Sequence, residues 1–167
     1  MTSVSLETAV SVYNPIDLVE EIVQANEWAH DRASDEEMMV EIAGRWCAYR
    51  LLFVWQREIN ALHFTCSFEM KVPKPRRPAV YELLAAVNER MWLGHFDLAA
   101  GETSPAFRYA VLLRGIGTAS AEQVEDLVDV ALSECERFYP AFQLVIWGGK
   151  PPEEAMAMAM IDPIGEA

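Results

Sequence analysis

Three cysteines, three histidines and eight glycines are all that 167 residues offer to thiol, metal-site or phosphate-loop chemistry, and none is spaced for it. His30, His63 and His95 lie far apart, and none shares an i to i+4 pair with another ligand type, so no metal motif is present. Cys47, Cys66 and Cys135 sit in apolar runs, where a thiol's pKa rises and its nucleophilicity is lost. Their odd number and wide spacing exclude a disulfide framework and fit a reducing cytoplasm. Gly115-Ile116-Gly117 stands between a strand and a helix, but it lacks the third glycine and the lysine and serine that grip a phosphate. The acidic run Asp31, Asp35, Glu36, Glu37 misses the spacing of a calcium loop. The expectation is a chain with no catalytic residues, no metal and no cofactor.

Positive charge is also scarce. Twenty-six acidic residues against 13 basic ones leave a net charge of -13, whose field repels phosphate backbones, so nucleic acid is not an expected partner. Long apolar runs are missing: Leu51 to Trp55 and Leu144 to Trp147 fall far short of the roughly 20 residues that a membrane span needs. The first stretch of the chain has no basic start followed by an apolar segment, so a cytoplasmic protein without a membrane partner is expected.

What the chain does have is apolar patterning, with 52% hydrophobic residues and a length that suits one domain. Residues 1–13 carry no sustained period and read as a loose arm before a single domain over 14–167. Asn14-Pro15 opens a helix, with the asparagine as cap and the proline in the first turn, and Leu18, Ile22 and Ala25 form one stripe of its buried face, with Val19 and Val23 beside it. From Trp28 the period becomes alternating, which predicts an antiparallel meander with strands near 28–33, 37–43, 46–55 and 59–70. A two-residue turn at Gln56-Arg57 would set Cys47 opposite Cys66. Pro78 opens a second helix that Gly94 ends, and strands follow at 95–100 and 106–114. Ser120 to Gln123 has the form of a capping box, and it opens a long helix that Pro140 should kink without ending. The order α-β-β-β-β-α-β-β-α predicts an α+β fold with helices packed on a twisted antiparallel sheet.

The final third is unusually apolar. Phe138, Tyr139, Phe142, Val145, Ile146 and Trp147 crowd around Pro140, and a Gly-Gly stop leads into a tail with Met156, Met158 and Met160. Either this surface packs on the sheet or it meets another chain. If the second holds, Tyr139, Phe142 and Trp147 are anchors for a partner protein and the three methionines its adaptable rim. A basic cluster, Lys71, Lys74, Arg76 and Arg77, is held extended by prolines and is either a rigid linker or a dock for an acidic partner. Exposed edge strands would also be covered by homodimerisation. A different class of function, a small-ligand sensor, would use a pocket between sheet and long helix lined by Trp46, Tyr49, Arg50 and Trp92.

Four stretches carry a family likeness: Phe53-Val-Trp-Gln56, Phe68-Glu-Met-Lys-Val-Pro73, Asn88-Glu-Arg-Met-Trp-Leu-Gly-His-Phe96, and Glu136-Arg-Phe-Tyr-Pro-Ala-Phe-Gln143 continuing to Trp147-Gly-Gly149. Together they resemble the YbjN-like proteins of bacteria, from about Asn14 onward. The resemblance implies a fold similar to that of type III secretion chaperones, often dimeric. It implies a sensory-transduction regulator and supplies no catalytic residues. The preferred expectation is a non-enzymatic module that binds another polypeptide, as a small chaperone or a regulatory adaptor does.

Overall fold

Alternation of side chains builds the sheet. In the computed structural model, which describes residues 13–161, the strands are β1 (Ala29–Ser34), β2 (Glu37–Ala43), β3 (Ala48–Gln56), β4 (Ala61–Ser67), β5 (His95–Asp97) and β6 (Ala106–Leu112). They lie in the order β1-β2-β3-β4-β6-β5, every neighbouring pair antiparallel. Tyr49, Leu51, Phe53 and Trp55 of β3 are buried, whereas Arg50 and Gln56 between and beyond them are exposed. The buried parity faces the helices α1 (Pro15–Ala25), α2 (Arg77–Asn88), α3 (Ala121–Ile146) and α4 (Pro152–Ala159), and sheet and helices share one apolar core. Among the described residues the other face carries no helix. The α+β fold is as expected, with one more helix than the sequence pattern predicts.

Local signals place the helices. The Asn14 side chain accepts the Ile16 N–H at 3.0 Å, with Pro15 at the first turn of α1. Ser120 Oγ accepts the Gln123 N–H at 3.0 Å, and Gln123 Oε1 accepts the Ser120 N–H at 2.8 Å, which closes the capping box of α3. That helix runs through Pro140 to Ile146. The arm expected over 1–13 lies outside the described residues save for Tyr13, whose N–H donates to Gly117 C=O.

Three expectations need correction. The β3–β4 connection is a 3₁₀ turn, Arg57–Ile59, closed by Asn60 in the left-handed region at φ 50°, so the register sets Leu51, not Cys47, opposite Cys66. Cys66 instead lies 3.7 Å, sulfur to sulfur, from Cys135 of α3, and both are buried. The fourth strand ends at Ser67, not residue 70; Phe68, Met70 and Val72 keep entering the core without strand pairing, and Val72 N–H turns to Thr103 C=O at 2.7 Å. The methionine tail is a helix, α4. Pro152 starts it, Glu153 and Glu154 complement its N-terminal dipole, and alanine and methionine extend it.

β5 starts at His95 as expected but ends at Asp97 rather than at residue 100. Gly94, at φ 66°, turns the chain away from the sheet; a Cβ there would sit 2.4 Å from the Phe107 ring, so only glycine fits. At the last residue of α2, Asn88 grips Phe96 at both its N–H (2.7 Å) and its C=O (3.0 Å) and fixes the start of β5.

Candidate functional site

The four residues expected to line one ligand pocket do not meet. Trp46 and Tyr49 belong to a clamp between the β2–β3 hairpin and α3. Pro140 has no N–H to give to Glu136 C=O four residues earlier, and the Trp46 indole N–H donates to that carbonyl at 3.2 Å. The Glu136 carboxylate accepts the Arg45 N–H and, at 3.0 Å, the Tyr49 hydroxyl. Trp46 also stacks on Tyr139 with rings 5.9 Å apart. Burial first, then the bond to Glu136, pushes the Tyr49 phenol well above its ordinary range. Arg50 points to the opposite face, where it pairs with Glu69 at 3.6 Å, and Trp92 lies away from all three, beyond α2.

The expected partner anchors divide in the same way. Tyr139, Phe142 and Met156 are buried in the core, where no partner reaches them, because α3 and α4 lay those faces on the sheet and on α2. Met160 packs partly against the core, and only Met158 and Trp147, 57% exposed, stand out at the α3–α4 corner. Within the basic cluster, Arg76 donates to Val145 C=O from Nε (3.1 Å) and Nη2 (2.8 Å), so it caps the C-terminal end of α3. Arg77 donates to Glu102 C=O and Ala99 C=O. Both arginines hold this structure together, and Lys71 and Lys74 alone of the cluster are free of such bonds among the described residues.

Two surfaces remain open. One is the face of the sheet turned away from the described helices, a hollow of about 840 Å³ with Met39 and Leu52 in its lining and Arg50, Lys71 and Arg108 among its charged residues. Arg108 is 3.5 Å from Asp97, so its charge is matched within the face.

The other is the edge of β6. β5 covers only Ala106, Phe107 and Arg108, so among the described residues Tyr109 to Leu112 have no neighbour on that side. Leu113 N–H donates to Asn60 C=O at 2.8 Å, which fixes the parity of the β4–β6 ladder. By alternation, Phe107, Tyr109 and Val111 bond to β4, while the N–H and C=O of Ala110 and Leu112 point away from the sheet. Beside this edge a cleft of about 220 Å³ runs between β6 and α3, floored by Tyr109, Val111, Leu127 and Val130. Leu93 and Val130 continue it into a second hollow of about 320 Å³ under Trp92. Trp92 is 98% exposed and Leu112 68%. On α3, Asp126 stands on the far wall of the cleft and Asp129 on that of the second hollow, which Arg90, Glu134 and Arg137 also line; among the described residues neither aspartate is in an ion pair.

Of this groove the sequence reading singles out only Trp92, and for another site. Trp92-Leu93 lies past the last buried position of α2 and before Gly94, and two large apolar residues outside the helical stripe that Met91 continues were the available signal. The free edge itself depends on how far β6 runs past the start of β5, where His95 lies opposite Arg108, a pairing that hydrophobic pattern does not report.

No reactive group assembles at either surface. Burial pushes the Cys47 and Cys135 thiols up, which favours the inert protonated form. Among the described residues no group of three metal-ligating side chains converges, and no helix is long and apolar enough to cross a membrane.

Helices confined to one face of an antiparallel sheet, among the described residues, define an α+β fold with an apolar groove along one strand edge. The chain belongs to the YbjN family, described as "Putative bacterial sensory transduction regulator", whose sequence profile matches residues 15–144. It is also similar to the crystal structure of YbjN from E. coli, described as a putative transcription regulator, with a TM-score of 0.52 over 83% of this chain and 95% of that one. Identity between the two is 10%, so the likeness is one of fold. No curated protein matches the sequence. The family likeness carried by the four sequence stretches is therefore correct.

Proposed function

We propose that this protein is a non-enzymatic cytoplasmic regulator that acts by docking another polypeptide, in the manner of an adaptor or small chaperone, in the groove along β6. One observation carries the reading: Trp92, almost fully exposed, stands beside an apolar cleft at a strand edge with unused backbone groups. Exposed tryptophan next to a contiguous apolar surface is the composition of a binding hot spot. The family description as a regulator agrees with it. The pocket expected for a small-ligand sensor loses support, because Trp46 and Tyr49 are taken up by Glu136 while Arg50 and Trp92 lie elsewhere.

Native mass spectrometry of the protein purified gently from its host tests the proposal, run beside a W92S/L93S variant and a W147S variant. The expected result is a co-purifying polypeptide held by the parent chain and by W147S, and lost from W92S/L93S while its circular dichroism stays unchanged. A polypeptide retained equally by all three would sink the groove as the dock.

A further inference from the structure

The β6 groove specifies the conformation and the charge of what it takes, and this step rests on reading that groove as a docking site. We infer that β6 accepts an extended segment of a partner protein as an added strand, with apolar side chains entering the cleft and a lysine or arginine among them meeting Asp126 and Asp129.

The backbone groups come first. Ala110 and Leu112 each present an N–H and a C=O outward from the edge, and a strand is the one element that satisfies both residues at once. Gly94 keeps that edge free, because it turns the chain off the sheet where β5 would otherwise have continued. Side chains of an added strand alternate, and those of one parity enter the space between β6 and α3, over Tyr109, Val111, Leu127 and Val130. The cleft over β6 is acidic, with Asp126 as its one charged lining residue among those described, and in the adjoining hollow Asp129 stands with Glu134, Arg137 and Arg90, Arg137 being paired with Glu134. Asp126 and Asp129 are exposed and carry no ion pair among the described residues, and the whole chain has a net charge of -13. A basic side chain can lay its apolar stem on Leu127 and Val130 while its charge reaches the carboxylates. The same charge argues against a second copy of this chain as the occupant, since it would bring two acidic walls together.

The test uses a capped heptapeptide with threonine at odd positions and valine, lysine and valine at even ones. Controls replace the lysine by glutamate or methylate the backbone nitrogens on the pairing side. Binding is followed by nuclear magnetic resonance, with hydrogen exchange of the Ala110 and Leu112 amides as the specific readout. The expected result is saturable binding that slows exchange at both amides at least tenfold. The glutamate and N-methyl peptides should bind at least tenfold more weakly, and the preference for lysine over glutamate should vanish in a D126N/D129N variant. Binding without added protection of Ala110 and Leu112, or equal binding of the lysine and glutamate peptides, overturns strand addition. A native partner captured through Trp92 and Leu93 with both amides still unprotected keeps the dock and likewise overturns it. Protection of the two amides on self-association alone would assign the edge to a second copy instead.

Discussion

Pro140 shows how a residue that breaks a rule is accommodated by one that sits far away in the chain. A proline in a helix interior costs about 3 kcal/mol, in part because it leaves the carbonyl four residues back without its donor. Here that carbonyl, Glu136 C=O, receives the Trp46 indole N–H instead. Replacing Trp46 by phenylalanine keeps an aromatic ring against Tyr139 but removes the donor, and should cost about 1 kcal/mol in urea denaturation. In a Pro140→Ala background the helix supplies its own N–H, so the same W46F change should cost close to nothing. Additive effects in that double-mutant cycle would show that the indole bond does not stand in for the missing one. Tyr49, bound to the carboxylate of the same glutamate, sets a pH dependence. Its folded-state pKa is raised, so the folded chain holds a proton that the unfolded chain releases above a phenol's ordinary value of about 10. The stability it contributes is complete below that value and falls as pH rises through it, and Tyr139, Cys47 and Cys135 are shifted in the same direction. Denaturation midpoints should therefore fall between pH 8 and pH 10.5, and less steeply in Y49F; parallel falls in both proteins would remove Tyr49 as a source.

At the scale of elements, α4 is where packing overrules sequence pattern. Ala155 and Met156 are fully or nearly fully buried against α2 and α3, whereas Met158 on the same short helix is exposed. Met156→Ala should cost about 2–5 kcal/mol, as other large-to-small changes in a core do, and Met158→Ala should leave the melting temperature unchanged within a degree or so. Equal small effects at both positions would mean that α4 is not part of the core. The contrast also explains what the sequence made legible. Helices with caps and stripes of several turns, α1 and α3, could be placed from Asn14 and Ser120 alone, and β2 from its strict alternation. An eight-residue helix offers too few turns for a stripe, and it read as a tail. The β3–β4 register failed for a related reason: Asn60 at positive φ lengthens the turn by a 3₁₀ step, and every pair after it shifts. Burial was legible only as parity. Tyr139 and Phe142 carry the same aromatic signal whether they face a core or a partner, and the long-range packing of α3 decides between them.

For the whole molecule, charge and shape act on the same event. A net charge of -13 spread over 167 residues raises the local concentration of basic segments around the protein before any contact forms, and it repels other copies. The β6 groove then adds a short-range filter through its apolar floor, its free backbone groups and the Asp126–Asp129 wall. These two contributions respond differently to salt. Raising ionic strength from 0.05 to 0.5 M shortens the Debye length from about 14 Å to about 4 Å, which screens the long-range field but leaves buried apolar contact intact. Association with a basic, extended partner segment should therefore slow by an order of magnitude or more across that range, while its dissociation rate changes by only a few-fold. The W92S/L93S variant should do the reverse, speeding dissociation and leaving the salt dependence of association in place. Stopped-flow mixing with a labelled segment separates the two rates. An association rate indifferent to salt would mean that the acidic surface takes no part in capture, and that the groove recognises its partner by apolar contact and backbone pairing alone.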